Sequence, residues 1–66
     1  MINYGRREWL RDLRLARNLT QTDVARMLDI SMDHYQRIEY GQRNPSPQLA
    51  RKIAILFDFQ MERFYE

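Results

Sequence analysis

The strongest constraint in this chain lies between Gln21 and Tyr40, where two short helical segments are separated by only Asp29 and Ile30. Apolar residues fall at Val24, Leu28, Ile30, Tyr35 and Ile38, with the small Ala25 inside the first segment. Two helices that cross at about 90–120° over a three- or four-residue turn make specific demands. They need a small residue where the backbones nearly touch, apolar residues that lock the angle, and a turn residue that tolerates positive φ. Ala25 and Asp29 meet the first and last of these. Asp enters the left-handed region less readily than Gly, so Asp29 is admissible there at some cost.

The rest of the chain reads as helix. β-branched residues are sparse, no segment alternates apolar and polar residues, and a 3.6-residue period recurs, so the expected class is all-α. A first helix is predicted over about Gly5–Arg17, with Leu10, Leu13 and Ala16 on one side and Trp9 beside them. Asn18 ends it, and Thr20 is placed to cap a second helix with Asp23 in its first turn. Ser31 caps a third helix running to Tyr40, and Gly41 suits the left-handed position after it. Ser46-Pro47 starts a fourth, whose apolar residues Leu49, Ala50, Ile53, Ala54, Leu56 and Phe57 cover more than half its circumference. It must be the most buried helix, or use a second face for a partner. Met61 to Tyr65 forms a last short turn of helix.

Size and composition exclude much. A chain of 66 residues is read as a single domain, residues 1–66, with no room for a second core or a deep substrate cleft. Without cysteine there is no disulfide framework or thiolate metal site, and one histidine with no paired carboxylate or nucleophile leaves no catalytic constellation. No enzyme activity, metal, cofactor or small-molecule ligand is expected. The longest apolar run, Ile53 to Phe57, is far short of a membrane span, so a cytoplasmic protein is expected. Ten of the eleven cations are Arg, and residues 1–57 carry ten cations against six acids, whereas residues 58–66 carry one against three. This basic region suits phosphate or guanine, and equally ordinary surface ion pairs.

Taken together, these residues resemble the helix-turn-helix family of phage repressors and Cro-like regulators, also called the XRE family. The resemblance covers about residues 9–65, with the motif itself at 21–40. It rests on Leu10, Leu13 and Arg14, on Leu19-Thr20-Gln21 leading into Val24-Ala25, and on Ile30-Ser31 at the turn. Ile38-Glu39-Tyr40-Gly41, Arg43-Asn44-Pro45-Ser46 and Lys52-Ile53-Ala54 complete it. It implies a compact five-helix, lambda-repressor-like domain whose third helix enters the major groove of double-stranded DNA.

Residues placed at 100° intervals, with Tyr35 and Ile38 inward, point Asp33, Arg37 and Tyr40 outward, flanked by Gln36 and with Met32 at the N-terminal end. The resemblance assigns base-edge contacts to Met32, Asp33, Gln36 and Arg37. A guanidinium can bond guanine O6 and N7 together, and Met32 offers only an apolar contact, as to a thymine methyl. Asp33 and Arg37, four apart, equally suit an intrahelical ion pair. Phosphate contacts are expected near helix N-termini, from Gln21 at the second helix and from Arg43, Asn44 and Ser46 before the fourth; each also reads as a cap or loop residue. Tyr40 departs from the Asn often found before the glycine. In the family, Arg14 and Glu39 form a semi-buried ion pair, which is the role expected here.

The resemblance also implies a homodimer through the fourth and fifth helices, here Ile55, Leu56, Phe59, Phe64 and Tyr65. The same residues could instead finish the monomer core. A two-fold dimer sets two third helices about 34 Å apart, matching a short inverted repeat. The expected function is sequence-specific transcriptional regulation, most economically repression. The alternative is a protein-interaction module of antitoxin or anti-repressor type, for which the C-terminal apolar residues supply the motive.

Overall fold

The computed structural model describes residues 4–66; the first three residues of the expected domain lie outside them. Four α-helices follow in order, α1 (Glu8–Ala16), α2 (Gln21–Leu28), α3 (Met32–Glu39) and α4 (Pro47–Phe57), and a 3-10 helix, Met61–Tyr65, closes the chain. The fifth helix of the expected five is therefore a 3-10 turn. No strand occurs among the described residues.

Side chains fix the helix ends. Thr20 Oγ1 accepts from the Asp23 amide at 3.0 Å while the Asp23 carboxylate accepts from the Thr20 amide at 2.8 Å, a reciprocal capping box. Ser31 and Ser46 cap α3 and α4 by accepting from the His34 and Leu49 amides. Among the described residues, three other than glycine take the left-handed conformation: Asn18 (φ 56°), Asp29 (φ 59°) and Asp58 (φ 57°). The first two end α1 and bridge the α2–α3 turn; Asp58 ends α4.

The start of α1 differs from the expectation. Residues 4–7 are not helical, because they serve the carboxyl end of α3. The Tyr4 amide donates to Gly41 O at 2.7 Å and the Arg7 amide to Glu39 O at 2.9 Å. The Arg7 guanidinium then donates to Ile38 O at 2.6 Å and to Arg43 O at 3.1 Å, and also to Asn44 Oδ1. The last carbonyls of a helix have no partner within it, so a folded-over segment that satisfies them gains more than another turn of α1 would. Gly5 permits the bend with φ +83°.

The core lies between α2, α3 and α4, with Leu10 of α1 and Phe64 closing it. Val24, Tyr35, Ile38 and Ile53 are inaccessible to solvent, and Ala25 keeps α2 close to α3. Each fully buried apolar side chain contributes roughly 1.5–3 kcal/mol. Trp9, Phe59 and Phe64 meet edge to face, with centroids 5.0–5.6 Å apart. Phe64 is thus buried in the monomer and Phe59 is half-buried, in keeping with the alternative that these residues finish the monomer core. Leu56 is likewise half-buried against the core, whereas Ile55 and Tyr65 are exposed.

Gly41 lies at the crossing of the two chain segments. Its φ is +76°, and a Cβ added there would collide with the Gly5 carbonyl. Gly41→Ala should therefore destabilise by more than the roughly 1–2 kcal/mol of the left-handed backbone alone. For a domain this small that lowers the melting temperature by at least about 5 °C; thermal unfolding followed by circular dichroism checks it.

Candidate nucleic-acid interface

Two helical faces are separated cleanly on α3. Tyr35, Ile38 and Glu39 are buried, and Met32, Asp33 and Arg37 are exposed with Gln36 at their edge. The four residues expected to read bases therefore share one outward face. Arg37 Nε donates to Asp33 Oδ2 at 2.9 Å, with 52% and 69% of the two side chains exposed. Such a pair in an isolated helix is worth only about 0.2–0.5 kcal/mol, little enough that a guanine edge can take over the fork.

The buried edge of α3 carries a polar chain. Arg14 on α1 donates to both oxygens of Glu39, Nε to Oε2 at 2.9 Å and Nη2 to Oε1 at 3.0 Å, in a two-point grip. Gln21 Nε2 also donates to Glu39 Oε1, at 3.2 Å, and Gln21 Oε1 accepts from Gln36 Nε2 at 3.1 Å. Gln36 in turn lies 3.4 Å from the Tyr40 hydroxyl. The first residue of α2 is thus wired to the outward face of α3 and to the ion pair beneath it. Arg14 Nη1 also donates to Leu19 O at 2.9 Å, tying down the chain just before α2.

Burial alone would raise the Glu39 carboxyl, but hydrogen bonds led by those from Arg14 outweigh it and hold the group below the ordinary carboxylate range. The same bond raises the Arg14 guanidinium against its own burial. Burial, with the Glu39 carboxylate beside it, also raises the Tyr35 phenol.

The residues expected at phosphates are dispersed in role. Ser46 Oγ accepts the capping bond of α4, and Asn44 Oδ1 accepts from Arg7, so both hold local structure. Arg43 is exposed, with its carbonyl held by Arg7 and its amide donating to Arg37 O at 3.2 Å. Gln21 is half-buried in the network just described. Sequence reasoning missed Arg7. It is 4% exposed with no carboxylate partner among the described residues, and burial lowers its guanidinium. Three acceptor oxygens and the negative end of α3 replace the missing acid. Its position in a run of arginines gave no signal of this.

A family model described as "Helix-turn-helix" matches residues 10–64. The chain belongs to the helix-turn-helix family. Among curated proteins, it is 37% identical over 60 residues to the "Uncharacterized HTH-type transcriptional regulator YqaF" of Bacillus subtilis, covering 91% of this chain and 79% of that protein. It is 39% identical over 56 residues to the "Uncharacterized HTH-type transcriptional regulator MJ0272" of Methanocaldococcus jannaschii, covering 85% of each. No solved structure matches the chain with significance. No helix among the described residues is long and apolar enough to cross a membrane.

Glu39→Ala in this family member should strand the Arg14 guanidinium, whose side chain is 9% exposed. For a fully buried pair that loss is about 3–5 kcal/mol. We expect a fall in melting temperature of at least about 10 °C, and an unchanged value would remove Glu39 from its structural role. The pH dependence has a fixed sign. A carboxyl with a depressed folded pKa stabilises above its unfolded value, near about 4.3, and that stability is lost as pH falls through the lower folded value. Acid unfolding should therefore be shallower in Glu39→Gln than in the unaltered protein, as read from melting temperature between about pH 2 and 6.

Proposed function

We propose that residues 1–66 act as one helix-turn-helix domain, and that the protein is a cytoplasmic, sequence-specific regulator of transcription that binds double-stranded DNA. In this reading it is a repressor that occupies a short inverted repeat as a homodimer, with α3 in the major groove. The carrying observation is the outward face of α3, where Met32, Asp33, Gln36 and Arg37 stand together on a helix clamped from behind by Arg14 and Glu39. The names of the Bacillus and Methanocaldococcus relatives agree with it. Arg37 is the principal base reader, with Asp33 orienting its fork or accepting from a cytosine amine; Gln36 supplies an amide and Met32 an apolar contact. Gln21, Arg43, Asn44 and Ser46 supply backbone contacts around it.

Dimerisation is supported by what the core leaves out. Ile55 is 72% exposed and Met27 56%, and with Leu28 and Leu56 they line an open groove of about 360 Å³. Asp29 and Lys52 also line it, one charge of each sign, which is compatible with a self-complementary two-fold surface. Ile55 and Leu56 therefore carry the expected interface more than Phe59 and Phe64, with exposed Tyr65 the remaining candidate. The same apolar groove favours the second reading, a protein-interaction module of antitoxin or anti-repressor type.

Selection from a random duplex library at two salt concentrations, with molecular mass measured in solution, separates the two. The expected result is a dimer enriching an inverted repeat, with affinity that falls as salt rises. Arg37→Ala should then cost about 1–3 kcal/mol and relax preference at one position of each half-site. Ile55→Glu should give a monomer with weakened binding to the repeat and an intact fold. A dimeric protein without duplex affinity would favour the second reading.

A further inference from the structure

An open cleft of about 500 Å³, sharing no lining residue with the α2–α4 groove, lies between α1, the start of α2 and the end of α3. Its lining includes Arg6, Arg11, Arg14, Gln21, Glu39 and Tyr40. The lining holds three guanidiniums and one carboxylate, a balance of +2, and that carboxylate is already gripped by Arg14 and Gln21. Arg6 and Arg11 are exposed. Among the described residues Arg11 pairs with its sequence neighbour Asp12, at 3.4 Å and exposed, a pair worth little. Arg6 makes no ion pair among the described residues; its guanidinium carbon lies 4.3 Å from the Tyr40 ring centroid.

That contact matters because it restrains an otherwise flexible side chain over the ring while its N–H groups can still bond an oxyanion. A planar fork held at the mouth of a positively charged cleft suits a tetrahedral oxyanion. The cleft is also continuous with the face proposed to read bases, since Gln36 on α3 reaches both Gln21 and the Tyr40 hydroxyl. Its wide opening fits a polymer passing across it better than a small molecule enclosed within it.

We propose that this cleft is a phosphate-binding site, in which Arg6, stacked on Tyr40, and Arg11 hold a phosphate of the DNA backbone flanking the segment read by α3. This rests on the DNA-binding reading above and adds to it a contact from outside the helix-turn-helix. Tyr40 acts as the platform and not as the ligand.

The test is the salt dependence of binding to a duplex of arbitrary sequence, which reports phosphates neutralised irrespective of base readout. Each lost contact makes the slope of log affinity against log salt shallower by about 0.9. Arg6→Ala and Arg11→Ala should each show such a reduction per protomer, with unchanged melting temperature and unchanged preference in the selected library. Tyr40→Phe should keep the slope and Tyr40→Leu should reduce it. Arg51→Ala on α4 makes the same change in charge outside the cleft and should leave the slope near its original value. Equal slopes for Arg6→Ala, Arg11→Ala and the unaltered protein would overturn the proposal, as would an effect of Arg51→Ala as large as that of Arg6→Ala. Absence of any duplex binding by the unaltered protein would overturn the DNA-binding reading as well.

Discussion

The position of α3 depends on Glu39 more than on any other residue. Its carboxylate takes both arms of Arg14 from α1 and the amide of Gln21 from α2, while its backbone carbonyl takes the amide of Arg7. Three separate parts of the chain are therefore referred to one residue at the end of the helix that presents Met32, Asp33, Gln36 and Arg37. A charged pair is a demanding way to achieve this, since the cost of desolvating both ions offsets much of their Coulomb attraction. What it adds over an apolar contact is direction: a two-point guanidinium–carboxylate grip fixes rotation as well as distance.

Two buried arginines solve the problem of desolvation differently. Arg14 is matched by a carboxylate whose ionisation the pairing itself protects. Arg7 is matched by carbonyl oxygens and the Asn44 side chain at the negative end of α3. Other arginines are also occupied locally. Arg17 lies 5.3 Å over the Phe57 ring and Arg63 lies 4.6 Å over Trp9. A chain with ten arginines thus spends several of them on its own fold, and their number overstates the positive surface open to a polyanion. Of the remaining six, Arg6 and Arg11 lie on one flank of α3 and Arg37 and Arg43 on its face and the loop after it, while Arg26 on α2 and Arg51 on α4 are exposed elsewhere.

Local features were legible in the sequence because their causes are local. Thr20 with Asp23, Ser31, and Ser46 before Pro47 announce helix starts through hydrogen bonds that span three residues. Asp29 and Gly41 occupy the left-handed positions their types tolerate. The outward face of α3 follows from the 100° step once Tyr35 and Ile38 are set inward. The Arg14–Glu39 pair, 25 residues apart, was reached only through family resemblance, since nothing in the composition distinguishes these two ions from the other charges.

The sequence by itself determined the four helices, the capped starts of α2, α3 and α4, the tight α2–α3 turn and the residues that α3 turns outward, because these depend on propensity, capping and period over a few neighbours. Tertiary structure alone decided that residues 4–7 leave α1 to cap α3, that Arg7 is internal while Arg6 is stacked on Tyr40, and that Phe59 and Phe64 close the monomer while Ile55 stays exposed. Each of those outcomes depends on which unsatisfied carbonyl or uncovered ring another segment brings near, and that is fixed only when the helices have packed.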